Sequence, residues 1–158
     1  MTETSRVPKR RFGGTAAQIR SALGFYRVLA YLTGSMLLLL TAELVVRYGF
    51  GSVLMAGGMN TATGAAHGFG FVPLQNGAST VAGGVNISTT VLIIHGWMYV
   101  LYLIADFRLW SLMRWPFGKF ILIALGGVIP FLSFIMERRV HAEAQAEVAA
   151  NPRASKRY

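Results

Sequence analysis

Residues 91–106 read VLIIHGWMYVLYLIAD, an apolar run that holds one histidine and ends on an aspartate. A helix facing only lipid needs nothing beyond Leu, Ile and Val, so the polar exceptions carry the information. His95, Tyr99, Tyr102 and Asp106 follow one another at steps of four, three and four, which stacks them on one helical face. Polar groups within a membrane turn towards protein rather than lipid. The stretch therefore predicts a membrane helix over about residues 87–105 with a polar stripe directed inward.

Composition agrees with that reading. The 158 residues are 54% hydrophobic and only 13% charged, and the mean hydropathy is +0.50. Soluble domains carry about a quarter charged residues, so the balance points to a membrane protein. Cysteine is absent, which excludes disulfides, zinc–thiolate sites and thiol catalysis. The net charge of +9 sits outside the apolar stretches, as in proteins lying against anionic lipid, and argues against nucleic acid as a partner.

Working outward, Val28–Val46 forms a further apolar segment whose nineteen residues rise about 28 Å as a helix, close to a hydrocarbon core of about 30 Å. Ala30, Gly34, Leu37 and Thr41 give it a mostly small face for close helix approach. Glu43 stands one turn before Arg47. An ion pair between them is the plain expectation, and a place for Glu43 on a proton or ion path is the sharper one. A third span is expected over about 117–137, opened by Pro116 and kinked at Pro130, which has no N–H for the carbonyl of Gly126. Gly126, Pro130, Ser133 and Glu137 repeat the four–three–four cadence, so the second and third spans are expected to meet along these faces. Between the second and third spans, Phe107, Trp110 and Trp115 alternate with Arg108 and Arg114, the mixture a membrane–water boundary favours.

The flanks read differently. Residues 1–27 form a basic arm (Arg6, Lys9, Arg10, Arg11, Arg20, Arg27) whose helical part, with Ile19, Leu23 and Tyr26 on one side, suits the membrane surface. A secretory signal peptide is not expected, because the following apolar core is too long. Residues 140–158 should continue as a helix to Asn151-Pro152 and end in a basic, disordered tail. Tyr48–Asn86 has no charged residue and more than half of the chain's 18 glycines, and reads as a long apolar loop. It repeats itself loosely: GFGSV (Gly49–Val53) and AGGMN (Ala56–Asn60) recur as GFGFV (Gly68–Val72) and AGGVN (Ala82–Asn86). A fourth span at 50–72 is disfavoured by its glycines and by Asn60, Thr61, Thr63 and His67. His67 lacks a spaced ligand partner for a metal. The resulting expectation is an all-α membrane protein with three transmembrane helices and a long Gly-rich extracytoplasmic loop. The positive-inside rule puts the amino terminus and Phe107–Lys119 in the cytoplasm, with the loop and the tail outside.

The segments FYRVLAYLTG (Phe25–Gly34), HGWMYVLYL (His95–Leu103), RWPFGK (Arg114–Lys119) and IPFLSFIMERR (Ile129–Arg139) together resemble one known pattern. It is that of the small integral membrane family catalogued as domain of unknown function 3817, whose actinobacterial subgroup is marked by a His-Gly pair. The resemblance covers roughly half the chain. It implies a three-helix protein of the cytoplasmic membrane, and it places Arg27, His95, Gly96, Arg114, Pro116, Glu137 and Arg138 on the family pattern. It implies no activity, and the Gly-rich insert departs from the short connection of the relatives.

No catalytic spacing such as G-x-S-x-G or H-E-x-x-H occurs, so catalytic, cofactor and metal residues are not expected and the chain is read as no enzyme. The residues singled out for function or helix packing are Arg27, Glu43, His95, Gly96, Tyr99, Tyr102, Asp106, Arg114, Pro130, Glu137 and Arg138. The expected partners are the bilayer, anionic lipid at its cytoplasmic face, and other membrane subunits or further copies of the chain. The preferred function is an accessory or assembly subunit of a larger membrane complex. The alternative is an oligomeric transporter or proton-linked channel using His95 and the acidic residues.

Overall fold

The computed structural model describes residues 11–152; Arg6, Lys9 and Arg10 of the expected arm, and Arg153, Lys156 and Arg157 of the expected tail, lie outside them. Four helices carry a small β module: α1 Ala16–Gly49, strands β1 Ser52–Ala56, β2 Met59–Asn60, β3 Phe69–Gln75, β4 Ala78–Ser79, β5 Val81–Ala82 and β6 Val85–Asn86, then α2 Ile87–Met113, α3 Phe117–Gly126 and α4 Leu132–Ala150. Two of the helices, α1 and α2, are long and apolar enough to cross a membrane.

α1 begins at a capping box. The Gln18 amide donates to Thr15 Oγ1 at 3.3 Å, and the Thr15 amide donates to Gln18 Oε1 at 2.9 Å, so two otherwise unpaired N–H groups are satisfied at the helix start. Its 34 residues reach about 51 Å, absorbing both the expected surface helix and the first span without a break. The side bearing Ile19, Leu23 and Tyr26 is buried, packed against helices and not laid on a surface. α2 starts where Asn86 Oδ1 accepts from the Thr89 amide at 3.1 Å and ends at Arg114, which adopts the left-handed conformation at φ 53°. α1 and α2 run antiparallel, tied by the Gly13 amide to the Leu112 carbonyl at 2.7 Å and by Thr33 Oγ1 to the Met98 carbonyl at 3.4 Å.

The expected third span is overturned. Residues 117–137 form no single rod: α3 stops at Gly126, Phe131 turns through φ 66°, and α4 runs back beside α3. The hairpin is closed at its foot by the ion pair Lys119–Glu143 and by Trp115 Nε1 donating to Glu147 Oε1 at 3.2 Å. Gly126-Gly127 weakens the helix and Pro130 withholds a donor, so together they break what one proline alone would kink. Mean hydropathy over such a segment is the same whether the chain crosses or turns back. α4 therefore returns to the end that holds the start of α1, and residues 140–152, expected on the opposite side from the arm, lie beside residues 16–23. The small face of α1 receives α4 at Gly34, where an added Cβ would stand 3.1 Å from both Ser133 Cβ and Phe134 Cζ.

The all-α expectation and the Gly-rich loop are also overturned, because residues 52–86 fold as antiparallel strands. One sheet has the order β4-β3-β1-β6, and β2 pairs with β5. The repeats seen in the sequence are each other's partners. Val53 opposes Val72, while Ala56 opposes Val85 and Met59 opposes Ala82, so the two Ala-Gly-Gly motifs lie antiparallel in one continuous register. Gly57, Gly58, Gly83 and Gly84 all have positive φ, and a Cβ on Gly84 would collide with the Gly57 carbonyl. Only glycine permits that crossing. Val53, Met55, Val72 and Val81 form the module's own small core.

Candidate functional site

Two places in the fold bring chemistry-bearing side chains together. The first is the junction where the α3–α4 hairpin seats against α1 and α2. Tyr26, Tyr102, Thr33, Asp106, Ser133 and Glu137 are all buried there. The tip fits because it is glycine: a Cβ on Gly127 would stand 2.5 Å from the Tyr99 ring, and one on Gly126 would stand 3.1 Å from Tyr102 Oη. Tyr99 Oη donates to the Ala124 carbonyl at 3.2 Å, and Tyr102 Oη to the Ile123 carbonyl at 2.6 Å. Ser133 Oγ donates to the Ala30 carbonyl at 2.8 Å. The polar stripe of α2 and the Gly126–Ser133 face thus meet, with the tyrosine hydroxyls satisfying carbonyls near the helix break.

Glu137 is the charged anchor of this junction. Its Oε1 lies 3.2 Å from Arg27 Nε, its Oε2 accepts from Tyr31 Oη at 3.2 Å, and His141 Nδ1 stands 4.0 Å away. The Arg27 guanidinium lies 6.0 Å from the ring centroid of Tyr31 on the same helix, and that ring meets Phe134 of α4 at 5.7 Å between centroids, so α1 clamps α4 through both a charge and an aromatic face. Asp106 differs. It is fully buried beside the Tyr26–Tyr102 pair, yet neither carboxylate oxygen has a hydrogen-bond partner among the described residues. His95 is only half-buried, stacked on Tyr99 with ring centroids 6.3 Å apart, and its Nδ1 has no hydrogen-bond partner among the described residues.

The second place is a groove of 380 Å³ between the far halves of α1 and α2, floored by the hairpin tip at Val128 and Pro130. Glu43 and Arg47 share its rim, but no ion pair within 4.0 Å joins them, and Glu43 Oε2 is buried without a hydrogen bond among the described residues. The expected Glu43–Arg47 pair is therefore absent from this structure.

Gly96 and Arg138 are exposed and stand outside both places, and Arg114 serves as the turn that ends α2. Tyr31, Glu143 and Glu147 were not singled out in the sequence, because their contacts reach across a hairpin that apolar continuity conceals. Among the described residues no group of three or more His, Cys, Asp or Glu could hold a metal ion.

No solved structure matches the chain. An uncharacterised protein of Mycobacterium bovis and another of Mycobacterium tuberculosis are each 31% identical over 120 residues, covering 76% of this chain and 73% of theirs. An uncharacterised protein of Mycobacterium leprae is 40% identical over 45 residues, covering 28% of this chain and 38% of its own. A family model described as a domain of unknown function, DUF3817, matches residues 23–142, from the buried face of α1 through the β module to the Glu137–His141 turn of α4. This chain belongs to the DUF3817 family.

Proposed function

We propose that the protein is a non-catalytic subunit of a larger assembly in the cytoplasmic membrane, held by α1 and α2 with the α3–α4 hairpin entering part-way from the amino-terminal side. Large apolar side chains exposed along all three elements, among them Leu39, Ile93, Trp97, Ile104 and Ile121, support a lipid-facing belt. Charge supports the orientation: Arg20, Arg27, Arg108, Arg114, Lys119, Arg138 and Arg139 lie towards the hairpin-foot end and Arg47 towards the other, so the hairpin-foot end is cytoplasmic by the positive-inside rule. Turning the third apolar segment back removes the charge conflict that a tail outside would create.

The observation that carries the subunit reading is the β module. An antiparallel sheet over a core normally offers a polar second face to water. Here Phe69, Phe71 and Val85 are exposed on the face shared with Leu54 and Ala56, and the whole of 48–86 lacks charge. A sheet apolar on both sides is suited to being covered by another subunit. The test is purification in mild detergent of the tagged chain and of a Phe69→Ser/Phe71→Ser variant. A stoichiometric partner with the first and none with the second is expected. A wild type that purifies alone refutes the subunit reading.

A second reading, an oligomeric proton-linked transporter, has its own support in the unpartnered polar atoms of Glu43, His95 and Asp106. It requires a pure homo-oligomer from the same purification, and loss of transport in His95→Gln with the fold retained.

A further inference from the structure

The hairpin occupies only part of the space between α1 and α2. α3 has ten residues and rises about 15 Å, half of a hydrocarbon core of about 30 Å. Beyond its tip, α1 from Leu37 to Arg47 and α2 from Ser88 to Leu92 continue without it, and the groove described above is the notch that remains. Leu37 and Arg47 are ten residues apart, again about 15 Å, the depth of one leaflet.

We propose that this notch is a binding site for one glycerophospholipid of the far leaflet whose headgroup carries both a phosphate and a protonated amine. The inference rests on the membrane placement proposed above. The floor and walls are hydrocarbon: Leu37, Leu40, Leu92, Val128 and Pro130. The rim holds opposite charges that do not pair with each other. Glu43 precedes Arg47 by one turn, the order that favours pairing, yet the two do not pair and Glu43 Oε2 is buried without a hydrogen-bond partner among the described residues. A zwitterionic headgroup complements that arrangement, phosphate to Arg47 and amine to Glu43. Ser88 and Thr89, in the first turn of α2, line the same rim and add hydroxyl donors and a helix N-terminus on the phosphate side. The 380 Å³ volume suits the headgroup and the upper part of one acyl chain, and the rest of the lipid would lie along the exposed apolar side chains of Leu39, Leu44 and Ile93.

The test is native mass spectrometry of the full chain in nonionic detergent, titrated with phosphatidylethanolamine, with phosphatidylglycerol, and with free O-phosphoethanolamine. Retention of phosphatidylethanolamine over phosphatidylglycerol by about tenfold is expected, with no retention of the free headgroup, which lacks a chain for the hydrocarbon floor. Glu43→Gln and Arg47→Gln should each abolish the preference. Leu40→Trp, which fills the notch and leaves the charges in place, should prevent lipid retention while the protein remains monodisperse. Equal retention of the two lipids, variants that behave as wild type, or binding of free O-phosphoethanolamine as tight as that of the lipid would overturn the proposal. Resistance of the wild type to alkaline extraction from membranes is read in parallel. Extraction into the soluble fraction refutes the membrane placement itself, whereas an inserted protein without a headgroup preference refutes the lipid site alone.

Discussion

Gly127→Ala probes the seat of the hairpin with a single methyl group. The added Cβ would stand 2.5 Å from two carbons of the Tyr99 ring and 3.2 Å from Tyr102 Cδ1, so Tyr99 must move. Overpacking of this kind costs about 1–3 kcal/mol. Moving the ring also strains the Tyr99–Ala124 hydrogen bond of 3.2 Å, worth about 0.6–2 kcal/mol between membrane helices. Alanine recovers up to about 1 kcal/mol of backbone entropy relative to glycine, which leaves a net loss between about 0.6 and about 5 kcal/mol, the upper end requiring complete loss of the hydrogen bond. The same substitution in a Tyr99→Ala background meets only the milder Tyr102 contact and should cost almost nothing. Unfolding of the four proteins in mixed detergent–dodecyl sulfate micelles, followed by tryptophan fluorescence, closes the double-mutant cycle. A coupling of at least about 1 kcal/mol between positions 99 and 127 is expected. Equal cost in both backgrounds, or a Gly127→Ala protein more stable than wild type, would refute the packing of the tip on α2.

On the proposed membrane placement, single cysteines at Ser21, Gln145 and Gln75, all exposed, should label from two sides, with Ser21 and Gln145 together and Gln75 opposite; Gln145 grouping with Gln75 would refute the turn-back of the hairpin. Gly84→Val combines positive φ with a backbone collision at Gly57, and the left-handed conformation alone costs about 1–2 kcal/mol, so proteolysis should cut the β module while α1 and α2 stay protected. Glu137→Gln removes the charge that pairs with Arg27 while keeping the side chain's shape; with Arg27 half exposed, solvent screening reduces the expected loss to about 0.5–1.5 kcal/mol in the same unfolding assay, and an unchanged midpoint would deny the clamp. Asp106→Asn should shift stability by less than about 1 kcal/mol, because neither oxygen has a partner to lose, whereas a loss above about 3 kcal/mol would reveal a cationic partner.

The periodicity of α2 was legible because side chains four and three apart must share a helical face whatever surrounds them. Tyr99, Tyr102 and Asp106 accordingly turn inward, and the small residues of α1 mark where α4 comes close, at Gly34. The hairpin was concealed for a physical reason. Residues 117–137 present the same apolar composition as a straight span, and the decision to turn back rests on contacts of Gly126 and Gly127 with a distant pair of tyrosines. The strands were hidden by their brevity. β2, β4, β5 and β6 have two residues each, too few for any alternation to register, and their glycines read as flexible chain until the Gly57–Gly84 crossing shows what they permit. The repeated motifs were visible from the outset. That they pair with one another follows only from the register. Glu137 stood out as a candidate, but its anchoring by Tyr31 and Arg27 joins residues more than a hundred positions apart, a relation no local pattern contains.

The ten-residue α3 also bears on how the chain is made. On the proposed placement, a half-length helix ending in Gly-Gly exposes carbonyls at a depth where no water waits to receive them. Those of Ile123 and Ala124 are met by Tyr102 and Tyr99 of a helix that precedes it in the chain. Synthesis therefore delivers the acceptors after their donors, and the hairpin has a prepared seat when it arrives. On that placement residues 117–150 need never be translocated, and Glu137 joins them to an α1 that has already been made.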